Sequence, residues 1–197
     1  REDQVKETLD AVRRLNMRGV SVTMPCKREA ARLADRLSPA ARFAGAVNTI
    51  VNDGGILTGH ITDGLGLVLD LKAHGKAVRD KNIVLLGTGG ASSAILVQCA
   101  LEKAASITVF NRTGPGLDRA RSIGDRMRAE GISCRLEYHL LNDSELLSQK
   151  IRSSDILINA TPVGMHPDQE GKSLVSDLSA FHKDLIVYDV ICDPKRP

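Results

Sequence analysis

The second half of the chain alternates short apolar segments with helical stretches, and this alternation limits the fold more than any other feature. The apolar segments are residues 83–86, 107–110, 134–138, 156–159 and 185–191. Strands that alternate with helices are typical of βαβ units, in which a parallel sheet is covered by helices on both faces. We therefore predict an α/β, doubly wound parallel (Rossmann-like) sheet for this half.

The first half has a different pattern. Val5, Leu9, Val12 and Leu15 recur at helical spacing, and Gly19 ends that run. A strand is predicted over 20–24, a helix over 27–37, and a β-hairpin from 46–51 and 56–61 around Asn52-Asp53-Gly54-Gly55. A helix is predicted from Asp63 to about residue 74, followed by a polar linker over 75–81.

These patterns divide the chain into an N-terminal α/β domain, residues 1–75, and a dinucleotide-binding domain, residues 76–197. The chain has no initiator Met, and it ends directly after a predicted strand. We therefore expect both domains to be truncated.

Composition excludes several classes of protein. The formal charge is only +3, and three Phe, two Tyr and no Trp offer little stacking surface, so nucleic-acid binding is not expected. No apolar run approaches the roughly 20 residues that span a bilayer. The four cysteines, at 26, 99, 134 and 192, are too widely spaced for Cys-x-x-Cys pairs, which favours a reducing, cytoplasmic location and no metal site.

A glycine cluster, Gly87-Thr88-Gly89-Gly90-Ala91, lies between the predicted strand 83–86 and a helix rich in small residues. Glycine lets the backbone amides approach a pyrophosphate, and the helix N-terminus supplies partial positive charge. The cluster predicts a dinucleotide site, although a tight strand-to-helix turn would also favour glycine.

The end of the next predicted strand carries Asn111, Arg112 and Thr113, about 20 residues beyond the glycines. An NAD site usually has a carboxylate there for the ribose hydroxyls, and this chain has none. Arg112 can bind a 2′-phosphate, with hydrogen bonds from Asn111 and Thr113. The pattern favours NADP over NAD. The alternative is that Arg112 is an ordinary solvated arginine in a loop.

Two ionisable residues, Lys27 and Asp63, are candidates for proton transfer. Lys27 opens a predicted helix, where the dipole disfavours its positive charge, whereas a neighbouring Asp63 would favour that charge. Each has an ordinary alternative, because a lone lysine is usually solvated and an aspartate before a helix is often an N-cap. The two residues can act together in proton transfer only if the folded chain brings them into contact.

Seven ordered motifs resemble those of the shikimate dehydrogenase family. They are Val-Thr-x-Pro-x-Lys at 22–27, Gly-Ala-Val-Asn-Thr at 45–49, Thr-Asp-Gly at 62–64, the glycine cluster at 87–91, Asn-Arg-Thr at 111–113, Asn-Ala-Thr-Pro-Val-Gly-Met at 159–165 and Asp-Pro at 193–194. The similarity runs over essentially the whole chain and includes features closer to the quinate/shikimate dehydrogenase branch.

The resemblance implies an NADP-dependent oxidoreductase, with NAD as a possible cofactor, that acts on a CH–OH group of shikimate or quinate. Lys27 and Asp63 would be the catalytic pair, and Thr23 and Asn48 would bind substrate hydroxyls. Besides the residues at 87–91 and 111–113, Val190 and Cys192 would lie at the cofactor. The expected partner is this small molecule, without nucleic acid or membrane, in a monomer or homodimer.

Three positions depart from the family pattern. Ile61 replaces a usual Asn, Cys192 replaces a usual Tyr, and Gly114 occupies a position where the quinate/shikimate branch has an Asp that lets NAD compete. The first two keep open a non-catalytic or altered-substrate dinucleotide-binding paralogue. A different Rossmann dehydrogenase would share the glycine cluster but not the motifs around Lys27 and Asn48.

Overall fold

The computed structural model describes residues 2–191, which form two sheets and the helices that pack on them. The helices are α1 Val5–Arg14, α2 Lys27–Leu33, α3 Pro39–Ala44, α4 Asp63–Ala73, α5 Gly90–Leu101, α6 Gly114–Ala129 and α7 Ser144–Arg152. The strands are β1 Gly19–Ser21, β2 Arg36–Leu37, β3 Thr49–Asp53, β4 Ile56–His60, β5 Asn82–Leu86, β6 Ser106–Asn111, β7 Arg135–Leu140, β8 Ile156–Asn159 and β9 Ile186–Asp189. Short 3₁₀ turns cover Glu2–Gln4 and Leu178–Ala180.

The first sheet has four strands in the order β1-β3-β4-β2. The predicted hairpin is confirmed, with β3 antiparallel to β4 and Asp53 opposite Ile56. Alternate residues of these strands, among them Ile50 and Leu57, are buried against α1, α2 and α3. Period-two burial of this kind follows from a sheet that is covered on one face.

The prediction of one helix over 27–37 is wrong, because α2 ends at Leu33 and a strand and a second helix follow. Ser38 caps α3 by accepting a hydrogen bond from the Ala41 amide (3.3 Å), and Pro39 occupies the first turn. Ser-Pro is a helix-start signal, and the residue before proline disfavours helix. The predicted strand 20–24 is also shorter, since β1 ends at Ser21.

Asp35 fixes the chain after α2. Its carboxylate accepts hydrogen bonds from the Leu57 amide at 2.6 Å and from the Arg13 guanidinium at 2.8 and 2.9 Å. The backbone hydrogen bond from Leu57, followed by that from Arg13, holds the pKa of Asp35 below its ordinary value. One side chain thus ties α1 to the first sheet.

The second sheet has five strands in the order β7-β6-β5-β8-β9, all parallel, which confirms the doubly wound prediction. One face packs on α4, α5 and α6 around buried residues such as Ile95 and Ile107. The other face packs on α7 around residues such as Phe110 and Ile151. The strand order reverses between β5 and β8, and such switch points form ligand crevices.

The two sheets are joined by packing of α4 on α5. A Cβ at Gly64 would lie 2.3 Å from the Ala94 carbonyl oxygen and 2.7 Å from the Gln98 Cβ. Only glycine allows helices to approach so closely. Further along the junction, the Arg126 guanidinium donates to the Phe43 carbonyl oxygen at 2.7 Å.

Two cysteines belong to the second sheet and its helices. Cys99 is fully buried in α5, and burial raises the pKa of its thiol to about 12. Cys134 precedes β7, and burial raises its pKa to about 11.

None of the helices formed by residues 2–191 is both long and apolar enough to span a bilayer.

Candidate functional site

Lys27, Asp63 and Asn48 form one hydrogen-bonded cluster. The Lys27 Nζ donates to Asp63 Oδ2 at 2.9 Å, and the Asn48 Nδ2 donates to Asp63 Oδ1 at 2.7 Å. The Lys27 and Asp63 side chains are 20% and 29% exposed, so the ion pair is sheltered but reachable. Both carboxylate oxygens have a donor, which fixes the plane of the carboxylate and the position of the ammonium group.

The backbone explains why these three residues meet. The Val47 amide donates to the Lys27 carbonyl oxygen at 2.9 Å, which holds the start of α2 beside the strand-entry segment that carries Asn48. The Asn48 amide donates to the His60 carbonyl oxygen at 2.9 Å, which places it across from the start of α4. Residues separated by 36 positions in sequence are thereby brought within one hydrogen bond.

Asp63 is the first residue of α4 and does not act as its N-cap, since Thr62 occupies that position. The carboxylate is used by Lys27 and Asn48 instead. The Thr62 amide donates to Asn48 Oδ1 at 3.1 Å, so Asn48 also holds the residue that precedes the carboxylate. The alternative of an ordinary capping aspartate is therefore wrong.

Thr23 lies in the turn between β1 and α2, where its carbonyl oxygen accepts a hydrogen bond from the Cys26 amide at 3.0 Å. Its exposed side chain lines a separate cavity of about 420 Å³ between α1 and this turn. Among residues 2–191, the hydrogen bonds of the Lys27, Asp63 and Asn48 cluster do not include the Thr23 hydroxyl. The structure brings Thr23 to the neighbourhood of the cluster but not into it.

The predicted glycine cluster forms the turn from β5 into α5. Gly87 has φ +105°, and a Cβ there would lie 2.9 Å from the Ala160 carbonyl oxygen, so both conformation and space require glycine. Gly89 and Gly90 have nothing within 4 Å of the position of a Cβ, and Gly90 begins α5. Their backbone amides are therefore accessible at a helix N-terminus, the arrangement that binds phosphate.

A cavity of about 490 Å³ opens above this turn, lined by the glycine cluster, Asn111 and Arg112. The Asn111 side-chain Nδ2 donates to the Thr113 carbonyl oxygen at 3.0 Å. The Arg112 side chain is exposed and makes no hydrogen bond or ion pair with any residue in the described range 2–191. An unpaired guanidinium at the rim of a helix-N-terminal cavity is suited to bind an anion.

Gly116, in the first turn of α6, belongs to the same site and was not singled out from the sequence. A Cβ at this position would lie 2.2 Å from the Asn111 Nδ2 and 2.4 Å from the Thr88 Oγ1. The glycine therefore provides space for two side chains that line the cavity. The Gly-Pro-Gly segment at 114–116 is a local signal, but only the folded chain shows which side chains fill the space.

The opposite wall of the cavity was also not predicted from the sequence, although this wall includes residues 160–163 of the motif at 159–165. It is formed by the long segment after β8 and by one residue after β7: Ala160, Thr161, Pro162, Val163, Gln169 and Leu174, with Leu141. This segment begins at the carboxyl end of β8, beside β5, where the strand order reverses and ligand crevices form. No local pattern points to Leu141, Gln169 or Leu174.

The remaining predicted positions have different outcomes. Val190 follows β9, and its amide donates to the Asn159 carbonyl oxygen at 3.0 Å, which places it beside the loop after β8. Cys192 lies outside the described residues. Ile61 is buried in the core of the first sheet, so this departure from the family pattern is an apolar residue in an apolar environment.

The candidate site is thus built from a lysine, a carboxylate, an amide and a glycine turn at a helix N-terminus. No group of three or more His, Cys, Asp or Glu side chains within residues 2–191 has an arrangement that could hold a metal ion.

The chain is similar to known proteins in both sequence and fold. Residues 1–50 match the family model for the shikimate dehydrogenase substrate binding domain. A shikimate 5-dehydrogenase from Listeria monocytogenes, solved with shikimate and NAD, is 39% identical with a TM-score of 0.91 over 96% of this chain and 65% of that one. The chain belongs to the shikimate dehydrogenase family.

Two other family structures bind related ligands. The shikimate 5-dehydrogenase of Thermus thermophilus, in complex with NADP(H) and shikimate, is 29% identical with a TM-score of 0.75 over 98% of this chain and 65% of that one. The quinate dehydrogenase of Corynebacterium glutamicum, in complex with NAD, is 27% identical with a TM-score of 0.79 over 96% of this chain and 64% of that one. The chain thus spans slightly less than two thirds of the length of each of these three relatives.

Proposed function

We propose that the protein is an NADP-dependent oxidoreductase that interconverts shikimate and 3-dehydroshikimate, or the corresponding quinate pair. The observation that carries the proposal is the Lys27–Asp63 contact of 2.9 Å at the start of α4, the helix that packs through Gly64 on α5. Because α5 begins at the glycine cluster, one helix pair links the proton-transfer group to the nucleotide-binding turn.

The proposed reaction divides between the bound cofactor and the side chains. When bound in the cavity of the glycine cluster, the nicotinamide cofactor would supply or accept the hydride at the ring carbon that carries the oxygen. In the reduction direction the Lys27 ammonium donates a proton to the carbonyl oxygen, which becomes the hydroxyl. Asp63 remains a carboxylate and orients the ammonium, while Asn48 keeps Asp63 in place. Oxidation reverses the steps, and Lys27 then accepts the proton.

The cofactor preference follows from charge. The exposed Arg112 guanidinium is available for a 2′-phosphate, and Gly114 leaves no carboxylate to oppose that phosphate. NAD remains usable because the glycine cluster recognises the pyrophosphate that both cofactors share. We expect residues 76–197 to bind the dinucleotide and residues 1–75 to bind the substrate, with Thr23 and Asn48 contacting its hydroxyls.

The proposal is tested by nicotinamide absorbance during turnover, with shikimate and quinate each assayed against NADP and NAD. Shikimate or quinate turnover that is faster with NADP supports both parts of the proposal. Turnover in none of the four combinations, by a protein that binds NADP, would refute the activity while leaving the dinucleotide site intact.

The Lys27→Ala variant tests the catalytic assignment. Loss of a positioned acid or base lowers rates by about 10²- to 10⁴-fold, so kcat should fall by that amount. NADPH affinity should stay unchanged, because the glycine cluster is on another element. Arg28→Ala is the matched control, since it removes a neighbouring exposed charge. A Lys27→Ala variant with normal kcat would contradict the assignment.

The Arg112→Ala variant tests the cofactor assignment. Removal of a charge-assisted hydrogen bond should weaken NADP binding roughly tenfold or more. NAD binding should change little, because NAD has no 2′-phosphate. Arg79→Ala, which removes an exposed arginine from the segment before β5, controls for the overall change in charge. Equal weakening of both cofactors would refute the contact with the 2′-phosphate.

A further inference from the structure

The loop that forms the far wall of the nucleotide cavity is organised by one amide side chain, that of Asn159. Its Oδ1 accepts hydrogen bonds from the Thr161 amide at 3.1 Å and from the Thr161 hydroxyl at 2.7 Å. Its Nδ2 donates to the Val163 carbonyl oxygen at 3.1 Å. The Thr161 hydroxyl in turn accepts from the Val163 amide at 3.2 Å. These bonds fix the turn formed by residues 160–163.

Asp189, at the end of β9, holds Asn159 from the neighbouring strand. The Asn159 Nδ2 donates to the two Asp189 carboxylate oxygens at 3.1 and 3.3 Å. One of these oxygens also accepts from the Ile191 amide at 3.0 Å, which fixes the carboxylate itself. A carboxylate can only accept, so it forces the amide to present its nitrogen to Asp189 and its oxygen to Thr161.

The orientation of this amide matters because the turn 160–163 faces the glycine cluster. The Ala160 carbonyl oxygen would lie 2.9 Å from a Cβ at Gly87, and the Thr161 methyl carbon would lie 3.1 Å from it. Ala160, Thr161, Pro162 and Val163 all line the cavity. A rotated Asn159 amide would lose its bonds to Thr161 and to Val163 together, and the wall of the cavity would change shape.

We infer that Asp189 is a positioning residue for dinucleotide binding: its carboxylate sets the orientation of Asn159, and Asn159 sets the turn that closes the cavity opposite the glycine cluster. This inference rests on the proposed NADP-binding function. Asp189 touches neither the proposed proton-transfer pair nor the cavity of the glycine cluster, so its effect should fall on cofactor affinity and not on the chemical step.

The test measures the dissociation constant of NADPH by fluorescence titration in a set of matched variants. Asp189→Ala should raise it roughly tenfold, because the acceptor that orients Asn159 is lost. Asp189→Asn should change it little, since an amide oxygen can still accept. Asp184→Ala is the control, because it removes an exposed aspartate of the segment before β9 that has no partner among the described residues.

An exchange of the two groups tests the contact directly. Asn159→Asp alone places two carboxylates face to face and should raise the NADPH dissociation constant roughly tenfold or more. The double variant Asn159→Asp/Asp189→Asn restores a donor and an acceptor between the two side chains. It should recover part of the loss, because the new carboxylate cannot donate to the Val163 carbonyl oxygen. For every variant, kcat at saturating cofactor should stay close to that of the wild type.

Hydrogen exchange gives a readout that does not need the cofactor. Asp189→Ala should speed exchange of the Thr161 and Val163 amides relative to Asp184→Ala, with an unchanged melting temperature confirming the fold. If the wild type binds no NADPH, the proposed function fails, and this exchange result alone decides the inference. Unchanged exchange, an Asp189→Ala affinity equal to that of Asp184→Ala, or a double variant no better than Asn159→Asp would overturn it.

Discussion

Gly64 and Gly66 lie two residues apart in α4, and alanine at the two positions should change stability in opposite directions. Gly66 is exposed and has nothing within 4 Å of the position of a Cβ. Replacement of an exposed helical glycine by alanine stabilises a protein by up to about 1 kcal/mol. The Gly66→Ala variant should therefore melt at a higher temperature than the wild type.

At Gly64 the same substitution would clash with backbone atoms of α5. The new Cβ would lie 2.3 Å from the Ala94 carbonyl oxygen and 2.8 Å from its carbonyl carbon, and these atoms belong to the buried helix α5. Overpacking costs about 1–3 kcal/mol, and a backbone neighbour places this case toward the upper end. After subtraction of the helix-propensity gain, Gly64→Ala should lose about 2 kcal/mol.

The two variants should thus differ by about 3 kcal/mol in their free energies of unfolding. In a chain of this size about 1 kcal/mol corresponds to a shift of roughly 2–4 °C, so their melting temperatures should differ by roughly 6–12 °C. Differential scanning calorimetry of wild type, Gly64→Ala and Gly66→Ala provides the measurement. Because α4 also carries Asp63 at its start, Gly64→Ala should lower turnover as well.

A Gly64→Ala variant as stable as Gly66→Ala would refute this reasoning. It would mean that α4 and α5 do not approach as closely as the structure shows. Equal turnover in the two variants would separately refute the idea that α4 packing positions Asp63.

Two further predictions concern the cavity at the glycine cluster and the N-terminal sheet. Gly116→Ala should weaken NADPH binding, because the new methyl group displaces the side chains of Asn111 and Thr88. Gly114→Ala should leave binding unchanged, because no atom lies within 4 Å of the position of its Cβ. Titration of both variants with NADPH provides the comparison. Asp35→Asn should lower the melting temperature at pH values above 3.8, which is the ordinary pKa of an aspartate. The lowered pKa of Asp35 means that its charged carboxylate stabilises the folded state in this pH range. The difference from wild type should vanish as the pH falls through the lower folded-state pKa, and a difference that persists in strong acid would contradict the assignment.

Local patterns in the sequence determined the elements of the second sheet. Three of its strands, β5, β6 and β8, are short apolar runs that are largely buried in the folded chain, so composition and spacing were enough to predict them. The glycine turn was equally predictable, because a positive φ at Gly87 is a requirement of the local backbone. The strand β2 was missed because the apolar residues of 27–37 continue a helical pattern past the true end of α2.

The contacts of the candidate site have a different origin. Lys27, Asn48 and Asp63 were singled out from motifs, but their hydrogen bonds depend on strands and helices that meet only when the N-terminal sheet has folded. A side chain at one position does not specify its distant neighbour, because that neighbour is set by packing of whole elements.

Tertiary structure alone decided which residues complete the cavity at the glycine cluster and why certain glycines are required. The need for glycine at 64 and 116 comes from atoms of other elements, a helix backbone in one case and two cavity side chains in the other. The Asn159–Asp189 contact joins the ends of two neighbouring parallel strands separated by 30 positions. Periodicity records which face of an element is buried, whereas these contacts arise from the packing of one buried face on another.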